Sequence, residues 1–290
     1  MRDKILHTNS LGETIDFSAS RIHVEKNDLR DFEWKVVSKN ERITGMTKGI
    51  VKKTIPFVIS VDSSKANEVK NMFFEHFEKD ILRNAQGYFE INGYKLYGYV
   101  TKSVKTDYLI HKRCLRLTIE FTCDNPYWIN ERTTSYIGKE NDIRSSIVGV
   151  AVVGYATVSG GDFSSYPYGY NYDYDSFANS SHTLINNHYD DSDFIMIING
   201  KVKNPIIDID KNRYELNYEI MENEYVIINS SEKTITLYKN DGSKVNIYNY
   251  RNKKEYIFTK ISAGEHSVSW NGDFDFSITL IGKRSEPEWI

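Results

Sequence analysis

The chain has 290 residues and a mass of 33.7 kDa, with 40% hydrophobic and 27% charged residues, which is the composition of an ordinary soluble globular protein. This length is comfortable for two domains of about 100–150 residues each. Residues 1–130 hold 21 Lys and Arg against 17 Asp and Glu, and the remainder holds 16 against 23, so neither half is basic enough to indicate tight nucleic-acid binding.

The two cysteines, Cys114 and Cys123, lie nine positions apart in one predicted strand. At ~3.3 Å per residue they are roughly 30 Å apart, too far for a disulfide. The sequence therefore gives no sign of an oxidising compartment. It also lacks the apolar runs of a signal peptide or a membrane helix, so we expect synthesis in a cytoplasm and no membrane anchor.

The first half predicts antiparallel strands. Apolar and polar residues alternate strictly in RCLRLTIEFTC (113–123) and again in TIPFVISV (54–61), as expected of half-buried strands. Pro56 indicates that the second of these strands lies at an edge or starts irregularly. In YFEINGYKLYGYV (88–100) the Asn92-Gly93 pair supplies the two positive φ angles of a type I′ turn, which predicts a β-hairpin.

One amphipathic helix interrupts these strands between Ser64 and Leu82. Its apolar residues recur at helical spacing and predict a single stripe that packs on a sheet: Val69, Met72, Phe73, Phe77 and Ile81. The first half is therefore predicted to be β-rich with one covering helix.

The composition changes after Trp128. Residues 131–164 contain the small-residue run IVGVAVVGYATV and are interpreted as a linker with an uncertain strand or hairpin. In 166–174 every second residue is tyrosine, which is typical of an extended arm packing on a neighbouring domain or of an aromatic platform for sugar or another chain. From Asp193 onward many short strands separated by Asn and Gly predict a sandwich or jelly roll.

The sequence contains no established catalytic or phosphate-binding motif. His182 and His188 lie near several aspartates, but a hydrated polar loop explains them better than a metal site. DIDKNRYELNYE (208–219) resembles a calcium loop, yet Arg213 stands where that loop needs glycine and its flanks look like strands. The chain is therefore predicted to be neither an enzyme nor a binder of cofactors or metals.

Short segments of both halves, in order along nearly the whole chain, resemble the distal tail proteins (Dit) of long, non-contractile-tailed phages, especially those of Gram-positive hosts. The segments that carry the resemblance are NSLGETIDF (9–17), MFFEHFEKDIL (72–82), GYFEINGYKLYGYV (87–100), TCDNPYW (122–128), YPYGYNYDY (166–174), IINGKVKNPIIDI (197–209), SSEKTITLYKNDGSK (230–244), YIFTKISAG (256–264) and WNGDFDFSITLIGKRSEPEW (270–289).

This resemblance implies a mainly β protein with three parts. Residues 1–130 would form a ring-forming, tail-tube-like domain with one amphipathic helix, 131–164 a linker, and 165–290 a galectin-like β-sandwich. Pro126, Tyr127 and Trp128 would form the structural join between the domains, because Asn125-Pro126 ends the preceding strand and the two aromatic residues then bury a large apolar area.

The resemblance also implies a structural hub of the phage tail tip or baseplate. Six copies would close into a homohexameric ring that joins the tail tube to the host-adsorption apparatus at the distal end of the virion tail, and genome DNA would pass through it without sequence-specific binding. The implied partners are the tail-tube protein, the tail-associated hub protein, the tape-measure protein and possible receptor-binding proteins.

The alternative function is a carbohydrate-binding module that assists attachment to the host cell wall. Galectin-like modules stack sugar on an exposed aromatic ring. Tyr248, Tyr250 and Trp270 are the candidate saccharide or partner contacts, although packing explains any single one of them better, because aromatic residues occur throughout the chain.

Overall fold

A computed structural model describes residues 3–19, 21–60, 66–108, 114–138 and 182–289. The chain divides into two compact units, the first formed by Met1–Asn130 with Lys283–Ile290 and the second by Glu131–Gly282. Antiparallel strands form most of both units, which confirms the predicted β-rich class. Among the described residues, no helix is long and apolar enough to span a membrane.

In its described residues the first unit contains one long helix and nine complete strands, and it shares the tenth strand with the second unit. Its elements are β1 (Ile5–Thr8), β2 (Thr14–Asp16), β3 (Ile22–Val24), β4 (Lys35–Lys39), β5 (Arg42–Thr47), β6 (Val51–Ser60), α1 (Ala66–Arg83), β7 (Gly87–Ile91), β8 (Tyr94–Tyr108), β9 (Cys114–Cys123) and the start of β10 (Trp128–Tyr136).

Strand β8 is long enough to take part in two pairings. Its first residues pair with β7, which continues through β1 to β2, and the rest of the strand pairs with β9, which continues through β6 to β3. The β7–β8 turn has φ of 52° at Asn92 and 78° at Gly93, which confirms the hairpin predicted from this dipeptide. Pro56 lies inside β6, which pairs with β3 on one side and with β9 on the other. Strand β3 pairs only with Phe57–Ile59, so the missing N–H of Pro56 removes no hydrogen bond between β6 and β3.

An aromatic core fills the first unit. The alternating residues of β6 and β9 are buried as predicted, and their neighbours Phe17, Phe73 and Phe89 meet in edge-to-face contacts with ring centroids 5.5 and 5.6 Å apart. The helix buries Phe73 and Phe77, one turn apart, against this core. Met72 and Ile81 are 52% and 47% exposed, so the predicted stripe was wrong at these two positions.

The second unit is built from short strands. After the end of β10 they are β11 (His182–Asn186), β12 (Asp193–Asn199), β13 (Val202–Lys203), β14 (Ile206–Ile209), β15 (Asn212–Glu215), β16 (Glu219–Ile220), β17 (Tyr225–Asn229), β18 (Thr234–Tyr238), β19 (Lys244–Asn246), β20 (Gly264–Trp270) and β21 (Phe276–Arg284).

Two antiparallel sheets enclose one core in this unit. One sheet runs β19-β18-β17-β12-β21, and the other runs β11-β20-β14-β15. Phe194, Ile228 and Ile278 from the first sheet and Ile207 and Val268 from the second are fully buried in a shared cluster. This two-layer arrangement is that of a β-sandwich, because each sheet buries its apolar face on the other.

The chain leaves the first unit within β10 and returns to it within β21. Residues 283–290 therefore group with the first unit, whereas the sequence analysis assigned them to the second domain. Residues 131–136 continue β10 instead of starting a linker. The small-residue run and the tyrosine-rich segment at 166–174 lie outside the described residues.

Candidate assembly surface

Strands β4 and β5 form a hairpin that is exposed along its whole length. Lys35 pairs with Thr47 and Lys39 with Arg42, with an irregularity after Val37. Asn40 and Glu41 make the turn, with φ of 50° and 61°. Two positive φ angles are the requirement of a type I′ turn, whose twist matches that of the two strands.

The hairpin carries four apolar side chains that water contacts. Val36, Val37, Ile43 and Met46 are 55%, 44%, 65% and 56% exposed, and every other residue of both strands is exposed as well. An isolated two-stranded hairpin is marginally stable in water, and clustered exposed apolar residues are typical of interaction surfaces. We define this hairpin, residues 35–47, as the assembly hairpin.

Sequence reasoning missed this hairpin. Its turn is Asn40-Glu41, which lacks the glycine that marks most type I′ turns, and apolar residues do not alternate cleanly across the irregularity after Val37. Asn40 was the available signal, because asparagine tolerates positive φ better than other residues with a β-carbon.

Lys48 fixes the base of the assembly hairpin. Its Nζ lies 4.7 Å from the ring centroid of Trp34 and 4.4 Å from that of Tyr127. It donates to the carbonyl oxygen of Pro126 at 3.3 Å and to Ser285 Oγ at 2.9 Å. Burial, together with the charge of Lys53, lowers the pKa of Lys48 to about 8. Lys48 thus ties the base of the hairpin to Pro126, which precedes β10, and to Ser285, which follows β21.

The three residues predicted to form the join lie together at this point. Pro126 is buried beside Lys48, Tyr127 is half-buried under the ammonium group, and Trp128 is 1% exposed in the core of the first unit. Trp128 also begins β10, the strand in which the chain passes to the second unit. Their role as a join between domains stays a prediction.

Arg30 holds the C-terminal segment on the first unit. Its guanidinium forms a fork with Asp3, at 2.7 and 3.0 Å, and donates to the carbonyl oxygen of Pro287 at 2.7 Å. The same group lies 3.9 Å from the ring centroid of Trp289. Asn92 at the β7–β8 turn adds a 3.0 Å hydrogen bond to the carbonyl oxygen of Glu288. The hydrogen bonds to Pro287 and Glu288 join residues more than 190 positions apart in sequence.

Trp270, one of the three candidate sugar contacts, is engaged in packing. Its Nε1 donates to the carbonyl oxygen of Phe274 at 3.1 Å, and its ring lies 4.6 Å from His182 and 5.1 Å from Phe276. The half-buried indole therefore stabilises the end of β20.

The other two candidates share a single 3₁₀ turn, Tyr248–Tyr250. Tyr248 stacks on Phe258 and is covered by the guanidinium of Arg251 at 3.9 Å. Tyr250 contacts Tyr218 edge to face and is 49% exposed. Of the three candidates, Tyr250 presents the most accessible ring.

His266 and Asp210 form a hydrogen-bonded acid–base pair in the second unit. Nδ1 of His266 lies 2.6 Å from Asp210, and Nε2 lies 2.8 Å from the carbonyl oxygen of Ser262. Both ring nitrogens of His266 are thus occupied, and the pair holds Asp210 against β20. The segment that resembles a calcium loop contains the β14–β15 hairpin, as its flanks predicted. Within the described ranges, no cluster of His, Cys, Asp and Glu is arranged to hold a metal ion.

No sequence-family model matches the chain, and no curated protein is significantly similar to it in sequence. Solved structures do match. The Dit protein of phage SPP1, described as a paradigm of the hub adsorption apparatus in phages that infect Gram-positive hosts, is 8% identical and superposes with a TM-score of 0.55, covering 98% of this chain and 100% of that chain.

Two structures of the phage P2 baseplate in its activated conformation, one with Ca and one with Sr, also match. Their matched chains are 14% and 13% identical, each with a TM-score of 0.57 and coverage of 99% of this chain and 100% of theirs. Because the similarity extends over both units, it concerns the complete two-unit fold. The chain therefore has the fold of the SPP1 Dit protein and of the matched phage P2 baseplate chains, which confirms at the level of fold the resemblance seen in its sequence.

Proposed function

We propose that this protein is a structural hub of a phage tail tip or baseplate. The observation that carries the proposal is the fold similarity to phage hub and baseplate proteins over 98–99% of the chain.

In this proposal six copies of the first unit close into a ring that continues the tail tube and leaves a channel for DNA. The assembly hairpin supports self-association, because its apolar side chains are exposed in the single chain. The second unit would be a galectin-like sandwich. The partners of the whole protein at the distal end of the tail would be the tail-tube protein, the tail-associated hub protein and the tape-measure protein.

The test is the mass and shape of the full-length protein. Light scattering over a range of concentrations should give six times the 33.7 kDa chain mass, and negative-stain images should show a six-fold ring with an open centre. A protein that remains monomeric both alone and with the tail-tube protein added would contradict the ring. Antibodies against the chain should decorate the distal end of the tail, and labelling elsewhere on the virion would contradict the hub position.

A carbohydrate-binding role is the second candidate, and the accessible ring of Tyr250 favours it. Host cell-wall polysaccharide titrated into the full-length protein should bind, and Tyr250→Ala should abolish binding because the stacking face is lost. Tyr189→Ala, which removes a tyrosine that is 69% exposed, is the matched control. Absence of binding by the unmodified protein would end this hypothesis and leave the hub proposal intact.

A further inference from the structure

The first unit also contains a surface groove. It lies beside α1, β2, β3 and the last residues of β6, and it has a volume of about 670 Å³. Its apolar lining consists chiefly of Ile22, Ile59, Val69, Met72 and Phe73. Met72 is 52% exposed here and is one of the two positions where the helix departs from its predicted buried stripe. We call this surface the helix groove.

The helix groove and the assembly hairpin have opposite charge. Glu13, Asp16 and Glu75 line the groove along with Arg21 and Lys79, and Lys79 is already paired with Glu13 at 2.7 Å. The assembly hairpin carries Lys35, Lys39 and Arg42 against the single acid Glu41. A basic hairpin with apolar side chains thus complements an apolar groove with a net acidic lining.

These two surfaces lie at opposite ends of strand β6. The assembly hairpin ends at Thr47, four residues before β6 begins at Val51, whereas Ile59 and Ser60 at the other end of β6 line the groove. Nine steps of ~3.3 Å separate the two ends by about 30 Å. A six-residue strand spans only about 20 Å, so the hairpin of one chain is too short to fill its own groove.

We propose that the helix groove of one copy receives the assembly hairpin of the next copy. The contact is heterologous, because two different surfaces of the same chain meet, and heterologous contacts close into rings when the rotation between copies permits. The inference rests on the proposed ring and specifies its subunit contact. Burial of Val36, Ile43 and Met46 beside Met72 would supply the apolar contact, and the basic residues of the hairpin would face Asp16 and Glu75.

The test uses one charged substitution on each surface, Met46→Glu in the hairpin and Met72→Glu in the groove. Both side chains are more than half exposed, so each variant should fold with an unchanged circular dichroism spectrum. Each variant alone should lose ring assembly, because a carboxylate would be buried in an apolar contact. Met221→Glu, a methionine that is 54% exposed in the second unit, is the matched control and should assemble normally.

Mixing the two variants gives the decisive result. The Met72→Glu chain retains an intact hairpin and the Met46→Glu chain an intact groove, so a one-to-one mixture should form heterodimers and stop there. A second experiment mixes an Ile43→Cys chain with a Met72→Cys chain under mild oxidation. The two introduced cysteines should form an intermolecular disulfide in the mixture, and neither chain should form a disulfide through its introduced cysteine when it is alone.

Two outcomes separate this inference from the ring itself. If the unmodified protein forms rings and both glutamate variants do so equally well, or no disulfide forms within the rings, the hairpin–groove contact is wrong while the ring stands. If the unmodified protein forms no ring and no disulfide appears in the mixture, both are wrong. A Met72→Glu variant that still assembles while Met46→Glu does not would indicate hairpin-to-hairpin contact and would also overturn the inference.

Discussion

Nδ1 of His7 lies 2.9 Å from Nε2 of His76, and this contact joins strand β1 to helix α1 inside the first unit. His7 is fully buried, and its ring meets Phe77 and Phe89 edge to face. On its other side, the ring of His76 meets the side chain of Asn9 at 3.3 Å. The helix is thus held to the sheet by a polar contact within an aromatic core.

We expect the first unit to lose stability when the pH falls below about 6.5. Burial, and then the neighbouring His76, hold the pKa of His7 well below its ordinary value of 6.5. Burial also lowers the pKa of His76, although Asp80 and Glu13 oppose the shift. Because both folded-state pKa values are depressed, the unfolded chain binds protons first, so this stability is present above pH 6.5 and is lost as the pH falls towards the folded values.

Hydrogen exchange followed by mass spectrometry between pH 7.5 and 5 measures this effect. Peptides from β1 and α1 should lose protection on acidification, after correction for the intrinsic exchange rate. His7→Phe should flatten the pH dependence, whereas His23→Gln, which replaces an exposed histidine, should preserve it. Equal pH dependence in His7→Phe and the unmodified protein would show that His7 and His76 do not cause the loss of protection.

The pair of His266 and Asp210 should respond to pH in the opposite sense. Burial alone would lower the pKa of His266, but its hydrogen bonds to Asp210 and to the Ser262 carbonyl raise it above 6.5. The pKa of Asp210 is lowered, first by the hydrogen bond from His266. The histidine contribution is present below pH 6.5 and lost as pH rises through the folded value, and the aspartate contribution is lost as pH falls below 3.8.

Asp210→Asn therefore should cost about 1 kcal/mol near pH 5.5, since the carboxylate is partly exposed, and less near pH 8.5, because the charge of His266 is lost as the pH rises through its raised pKa. Urea unfolding of the second unit at these two pH values, at fixed protein concentration, checks the expectation. A larger loss at the higher pH would contradict the assigned charge state.

Trp128→Ala should destabilise the first unit by about 3–5 kcal/mol, because the indole is fully buried and its removal leaves a large cavity. The change in urea midpoint of the first unit measures this loss. Trp289→Ala removes an indole that is 71% exposed and should cost about 1 kcal/mol or less. Similar costs for the two variants would argue that Trp128 does not anchor the start of β10.

Arg30→Ala should release the C-terminal segment. The substitution removes the fork to Asp3, the hydrogen bond to the Pro287 carbonyl and the contact with the Trp289 ring. Hydrogen exchange at residues 284–289 should rise at least tenfold. Arg30→Lys should not restore protection, since an ammonium group lacks the planar fork. Arg213→Ala, which breaks a similar fork to Asp208 in the second unit, should leave this segment protected.

Sequence patterns alone predicted several of the longest strands, including β6, β8 and β9. Leu115, Leu117 and Ile119 alternate with polar residues, and that period of two is a local property that packing did not change. The turn at Asn92-Gly93 was equally readable, because positive φ is a local demand on the backbone. The helix was located correctly, but not all of its apolar stripe is buried. Phe73 and Phe77 are buried in the core and Val69 packs against it, whereas Met72 and Ile81 are exposed.

The tertiary structure alone decided three further features. The assembly hairpin leaves Ile43 and Met46 in water, which no pattern distinguishes from a buried strand. Arg30 donates a hydrogen bond to the carbonyl oxygen of Pro287, 257 positions away in sequence. Asp16, Ile59 and Met72 come together in the lining of the helix groove. Local sequence determines backbone conformation through φ preferences and hydrophobic period, whereas contacts between distant residues depend on how whole elements pack. The candidate assembly surface belongs to that second kind.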